Sequence, residues 1–183
     1  MLKGPRVTLR AIKPDDLPRF VTWLNDYEVR KHVSPFVPFT LEDEEEWYQA
    51  QRKDQSVFNL AIEIEDGTHI GSIGLMDINQ RVQQAELGIM IGRKEAWSKG
   101  YGGEAIALML AYGFDHLNLN RIFLRVNTDH LGAIKCYQRG GFVTEGELRQ
   151  VGFRAGRFVN QYIMSVLRAE YLAEKNNHPE TNG

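Results

Sequence analysis

The stretch Gln84-Ala85-Glu86-Leu87-Gly88-Ile89-Met90-Ile91, followed by Trp97-Ser98-Lys99-Gly100-Tyr101-Gly102-Gly103-Glu104-Ala105, decides how the rest of the chain is read. Its first part is a short, mostly apolar run of the length of a buried central strand. Its second part sets three glycines in four positions ahead of a helical run from about Glu104 to His116. The apolar residues Ile106, Leu108, Met109, Leu110, Tyr112 and Phe114 suit a helix that is largely buried. Glycines at a helix start leave backbone N–H groups uncovered and aimed in one direction, and the helix dipole adds partial positive charge, so the stretch suits a pyrophosphate. Lys99 adds a full charge. The purely conformational alternative is a tight turn, with Gly102 at a positive φ that a β-branched residue would resist. No Gly-Lys-Ser/Thr follows at P-loop spacing, and the third glycine of a Rossmann fingerprint is missing.

Upstream, Val7, Leu9 and Ala11 alternate with Thr8 and Arg10 as a first strand, and a helix runs through Phe20, Trp23 and Leu24. Ser34 to Phe39 is expected to be a stiff apolar loop, because each proline pushes the preceding residue out of helical geometry. Thr40 with Asp43 three residues on is a capping-box signature for a second helix. The acids Glu42 to Glu46 fall in or near its first turn, where the dipole favours them. Phe58 to Ile64 and Ile70 to Ile78 read as two strands joined at Asp66-Gly67. Downstream, Ile122 to Val126 is a strand, and Leu131 to Arg139 a short helix stopped by Gly140-Gly141. Two strands then flank a turn at Arg154 to Arg157. Residues 1–175 are expected to form one domain and 176–183 a flexible polar tail. The element order implies an α/β (α+β) class with a mixed sheet and helices on both faces.

The 183 residues carry 22 Lys+Arg against 24 Asp+Glu, a net charge of -2 that argues against a general phosphate-backbone binder. The single cysteine, Cys136, can form neither an internal disulfide nor a thiolate metal cluster. No apolar run approaches the ~20 residues of a membrane span, and no apolar segment follows Met1 to Arg6 as a secretory signal would require. A cytoplasmic protein without nucleic-acid or membrane partners is the expectation. His32, His69, His116 and His178 are isolated and show no metal-ligand spacing.

In its motifs the chain resembles the GCN5-related N-acetyltransferases, and among them the branch of ribosomal-protein N-terminal and spermidine/diamine acetyltransferases. Three segments carry the likeness in the right order: Glu86 to Ile91 with the loop Lys99 to Ala105; Tyr112-Gly113-Phe114 through Leu119-Asn120-Arg121-Ile122; and Ala133-Ile134-Lys135-Cys136-Tyr137-Gln138-Arg139-Gly140-Gly141-Phe142. The resemblance implies a single-domain acetyltransferase fold, a mostly antiparallel sheet whose central strands splay apart to admit acetyl-CoA. It implies that Ile89, Met90 and Ile91 line the pantetheine arm and that Ser98, Lys99, Gly100, Tyr101, Gly102 and Gly103 hold the pyrophosphate. Trp97 stands where the family pattern has Arg or Gln, and His130 where it has Asn.

Acetyl transfer to an amine needs a neutral amine, a stabilised oxyanion and a proton for the departing thiolate. By the resemblance, Tyr137 supplies that proton, Glu86 takes the amine's proton directly or through water, and a backbone amide such as that of Met90 stabilises the oxyanion. Each has a plainer alternative: a core tyrosine for Tyr137, an edge ion pair for Glu86, a helix start for His130. Asp77 and Glu63 read as solvated strand residues. Cys136 points about 100° away from Tyr137 on its helix, so a thiol nucleophile is not expected. The acidic run 42–46 is either a solvated helix start or a wall attracting a cationic substrate. The acceptor is expected to be a polyamine such as spermidine, reached in a ternary complex without metal. A protein N-terminus, a non-catalytic acyl-CoA-binding module and a weaker nucleotide-binding reading are the alternatives. Homo-oligomerisation is compatible with the sequence.

Overall fold

The computed structural model describes residues 1–33, 38–154 and 156–177. The expected loop at 34–39 therefore falls mostly outside the described residues. Eight strands form one sheet in the order β1-β2-β3-β4-β5-β6-β8-β7. They are β1 (Leu2–Lys3), β2 (Val7–Ala11), β3 (Phe58–Ile64), β4 (His69–Asn79), β5 (Gln84–Ile91), β6 (Arg121–Asn127), β7 (Val143–Arg154) and β8 (Arg157–Leu167). Helices α1 (Leu17–Asn25), α2 (Tyr27–Arg30), α3 (Leu41–Gln51), α4 (Tyr101–Ala111), α5 (Leu131–Arg139) and α6 (Arg168–Asn177) complete the chain, with a π turn at Tyr112–His116 continuing α4. Every strand pairing is antiparallel except β5 with β6.

That exception positions the site. The parallel register of β5 and β6 covers only Gln84↔Arg121, Ala85↔Ile122 and Glu86↔Phe123. From Leu87 to Ile91, β5 is paired with β4 alone. The two central strands thus part after Glu86, and the β6-facing edge of β5 carries backbone groups without a strand partner. The splayed mixed sheet expected from the sequence is present.

Alternation along β5 sends its residues to two different layers. Ala85 and Leu87 are buried in the larger cluster with Ile106, Met109 and Phe114, and Ile89 and Ile91 pack against it. Met90 faces the opposite layer, with Leu17, Phe20 and Val29. The π turn approaches β6 so closely that a Cβ on Gly113 would lie 2.6 Å from Ile122 Cδ1, so a larger residue there would force the layers apart. Helix α6 was not read from the sequence. It runs to Asn177, two residues into the expected tail, with Tyr171 stacked on Phe114 at 5.0 Å between ring centroids.

Candidate active site

Residues 98–103 are less of a loop than composition suggests. Ser98 and Gly100 have φ of 59° and 88°, and α4 already begins at Tyr101. Gly102 and Gly103 are therefore helical residues, and the positive φ expected at Gly102 falls on Gly100 instead. No side chain caps the helix start, which leaves first-turn amides for a ligand or water. Glu104, the acid of that first turn, is turned away. Its carboxylate accepts from the backbone N–H groups of Arg6 (2.7 Å) and Val7 (2.8 Å). Arg6 also donates to the Lys99 carbonyl at 3.1 Å, and its guanidinium lies over the Tyr101 ring. The segment before β2 thus braces the glycine turn from nearly 100 residues away in sequence, a partnership no local motif announces.

Packing within the protein does not demand glycine at 102 or 103. A Cβ on Gly102 would rest 3.9 Å from Ile89 Cδ1 and Ile91 Cγ1, and one on Gly103 3.7 Å from Cys136 Sγ. These are ordinary contacts, so the fold itself would accept a methyl group at either place. What glycine preserves is access to the amides beneath, as a phosphate-bearing ligand requires.

A cavity of about 600 Å³ opens from this turn into the gap between the central strands. Ile89, Met90 and Ile91 form one wall and Ser98, Gly100, Tyr101, Gly102 and Gly103 one end; His130 and Tyr137, from the start and body of α5, line the other side. Residues 28, 29 and 31–33 of α2 and its exit add to the lining. Lys99 and Glu86 are not part of it. Lys99 exposes its side chain. Trp97 also lines the cavity, and its indole N–H donates to the Ile91 carbonyl at 2.7 Å. It therefore closes the end of β5 rather than offering charge.

Tyr137 is half-buried, its ring 5.8 Å from that of Phe142, and its hydroxyl bonds to no described residue. Burial pushes the phenol further up from its already high range, with Cys136 adding to the effect. Tyr137 is accordingly a protonated donor at any working pH. Cys136, beside it, is also pushed up by burial, which holds it as a thiol and a poor nucleophile.

Glu86 sits at the last residue pair before the strands part. Arg125 grips it with two bonds, Nε to Oε1 at 2.9 Å and Nη2 to Oε2 at 2.7 Å. Glu63 is paired with Arg10 at 2.6 Å, and Asp77 is a residue of φ 51° in an irregular stretch of β4. Two of the histidines expected to be isolated, His32 and His69, have close partners, and His178 lies outside the described residues. His32 stacks on His130, with ring centroids 3.9 Å apart. His69 is buried, its Nε2 2.9 Å from the Gly71 carbonyl and its Nδ1 3.2 Å from Asp16 Oδ1. Among the described residues no group of three or more His, Cys, Asp and Glu is arranged to hold a metal.

The acidic run divides into three kinds of residue. Asp43 completes the expected capping box, accepting from Thr40 N–H at 2.8 Å while its own N–H donates to Thr40 Oγ1 at 3.2 Å. Glu42, Glu45 and Glu46 are exposed. Glu44 is 6% exposed, and burial, with Asp43 adding, pushes its carboxyl up to about 7. An acid raised in this way binds more protons folded than unfolded between its ordinary range and that value. Stability should therefore fall as pH rises from ~4.5 to ~7 and then level, by on the order of 2 kcal/mol. Glu44→Gln is expected to flatten this slope and to melt higher than the parent at pH 8. Identical pH–melting curves for the two proteins would refute it.

The acetyltransferase (GNAT) domain family matches residues 6–143. The spermidine N(1)-acetyltransferase of Escherichia coli K12 is 33% identical over 171 residues, covering 92% of this chain and 89% of that protein. The uncharacterized N-acetyltransferase p20 of Bacillus licheniformis is 32% identical over 176 residues, covering 91% of this chain and 95% of its own length. The crystal structure of the Vibrio cholerae spermidine N-acetyltransferase in complex with CoA and spermine superposes with a TM-score of 0.86 at 29% identity, covering 92% of this chain and 99% of that one.

Proposed function

Since this chain belongs to the GNAT acetyltransferase family, we propose that it transfers an acetyl group from acetyl-CoA to a primary amine of a polyamine, by direct attack within a ternary complex. One observation carries the reading: uncapped glycine amides, a strand edge without a strand partner and a half-buried phenol bonded to no described residue all line one cavity. The amides at the start of α4 hold the pyrophosphate of acetyl-CoA, and the free edge of β5 between Leu87 and Ile91 pairs with the amides of its arm. When bound, acetyl-CoA supplies the thioester carbonyl that the amine attacks.

The chain's own groups then manage protons and charge. The N–H of Ile89, on the free edge of β5, donates to the carbonyl oxygen as negative charge gathers there; Met90, expected from the sequence to do this, pairs with Ser72 and turns its backbone to β4 instead. Tyr137 gives its phenolic proton to the departing sulfur as the C–S bond breaks and the C–N bond forms, and is reprotonated from solvent. Glu86 relays the amine's proton through water. An ionised carboxylate has about four lone-pair positions; Arg125 takes two, and the rest remain for a water at the point where the strands separate.

Glu86→Gln is expected to lower kcat/KM by about 10²-fold and to move the pH optimum upward. Without the relay the amine must arrive already deprotonated, so the rate should keep rising towards the amine's own pKa. An unchanged rate and pH profile would make Glu86 a structural ion pair only.

The exposed carboxylates of Glu42, Glu45 and Glu46 lie outside the lining of the cavity, and as fixed surface charge they attract a polycation more than a neutral acceptor. The spermidine acetyltransferases among the relatives support the same choice. The acceptor class is tested by competition among spermidine, a monoamine and peptides with free N-termini, read by mass spectrometry of the acetylated products. Spermidine should dominate, and its advantage should shrink in high salt. Preferential acetylation of a peptide N-terminus would overturn the polyamine assignment.

A further inference from the structure

The β7–β8 hairpin returns a side chain from the far edge of the sheet to the back of the cavity wall. Arg154, the last residue of β7, donates through Nη1 to His32 Nδ1 at 2.6 Å and to the Lys31 carbonyl at 3.0 Å. Its Nη2 bonds the carboxylate of Asp129, which precedes His130. One guanidinium thereby ties the exit of α2 to the start of α5, where His32 and His130 stack with planes 21° from parallel. Both imidazoles line the cavity.

Chemistry fixes the tautomer. A guanidinium has donors and no acceptor, so His32 Nδ1 must accept and the ring proton must sit on Nε2. The charged groups around the ring agree. Burial, the His130 ring, Arg154 and Lys31 oppose a proton on His32, and Asp129 alone favours one; the balance pulls the imidazole down to about 4. The Nδ1 lone pair is occupied, so His32 is no base. Its Nε2–H bonds to no described residue.

We propose that Arg154 is a positioning residue of the acetyl-transfer site: it holds His32 as the neutral Nε2–H tautomer on the cavity wall, a hydrogen-bond donor to a carbonyl oxygen of the acyl-carrying arm. The identity of that arm rests on the acetyl-CoA reading above; the tautomer does not.

Nitrogen-15 NMR of the imidazoles tests the two parts separately. In the parent, His32 should show an unprotonated Nδ1 and Nε2–H down to at least pH ~5, far below an ordinary histidine near 6.5. Arg154→Met removes the donors and keeps much of the stem, and His32 should then titrate in the ordinary range. The KM for acetyl-CoA should rise about tenfold while kcat stays within about threefold, the split expected when binding rather than chemistry is disturbed. His32→Gln retains an amide N–H and should bind acetyl-CoA within about threefold of the parent by calorimetry, whereas His32→Ala should lose about tenfold. If Arg154→Met does not fold, the His32 pair decides. A protonated Nδ1 in the parent, an unchanged tautomer in Arg154→Met, or equal losses for His32→Gln and His32→Ala would each overturn the proposal. Failure of the parent itself to bind acetyl-CoA would overturn the functional reading, and with it the ligand given to the Nε2–H, while leaving the Arg154–His32 geometry measurable.

Discussion

Tyr137→Phe is expected to turn over roughly 10²-fold more slowly than the parent, the usual scale of a general-acid contribution, with acetyl-CoA affinity almost unchanged. The substitution removes one oxygen atom and leaves the ring against Phe142. That oxygen has no described hydrogen-bond partner, so its loss breaks no bond that holds the fold. Packing cost should be small, and the melting temperature should move little. The phenol is held protonated by burial, so its role is donation rather than ionised charge, and no limb of the pH profile between 6 and 9 should belong to it. Single-turnover rates with saturating acetyl-CoA measure the effect directly. Turnover equal to the parent would make Tyr137 a packing residue and leave the thiolate to be protonated by water.

Gly102→Val should abolish acetyl-CoA binding while leaving the apo protein folded. A Cβ at this position meets Ile89 and Ile91 at 3.9 Å, an ordinary contact, and the helical backbone accepts valine at modest cost. The branched methyl groups would occupy the approach to the first-turn amides of α4, where the pyrophosphate is held. In the parent, about a hundredfold excess of ligand over its Kd should stabilise the fold by ~2.7 kcal/mol, about 5–10 °C in melting temperature for a chain of this size. In the variant the shift should vanish. A parent melt unmoved by millimolar acetyl-CoA but raised by ATP would instead support the nucleotide-binding reading.

Local periodicity and turn chemistry were enough to read the strands from β2 onward and the capping box at Thr40, because each is fixed by neighbours in sequence; the two-residue β1 is too short to show a period. The glycine motif was legible for the same reason, although Gly102 and Gly103 proved helical and the positive φ falls on Gly100. What could not be read joins distant segments. Arg6 meets Lys99 and Glu104, Arg125 meets Glu86, and Arg154 meets His32 and Asp129. None of these pairs follows from spacing, since each depends on which strands become neighbours. Placing β8 between β6 and β7 is likewise a property of the whole sheet. Trp97 appeared a departure from the family pattern, and its indole bond to Ile91 shows the work it does in this chain. His32 looked isolated because its partner His130 is 98 residues away and comes from the other side of the central strands.

The central claim, direct transfer from acetyl-CoA to an amine within one ternary complex, is tested by counting free thiol against acetylated product. With acetyl-CoA alone, thiol should stay at the level of spontaneous hydrolysis, and the protein's mass should not change. On adding spermidine, one thiol should appear for each acetylated amine, and double-reciprocal plots with both substrates varied should intersect. Stoichiometric thiol release without amine, with an acetyl group found on Cys136, would contradict the account in favour of an acyl-enzyme. No thiol release with any amine would contradict it in favour of a binding module.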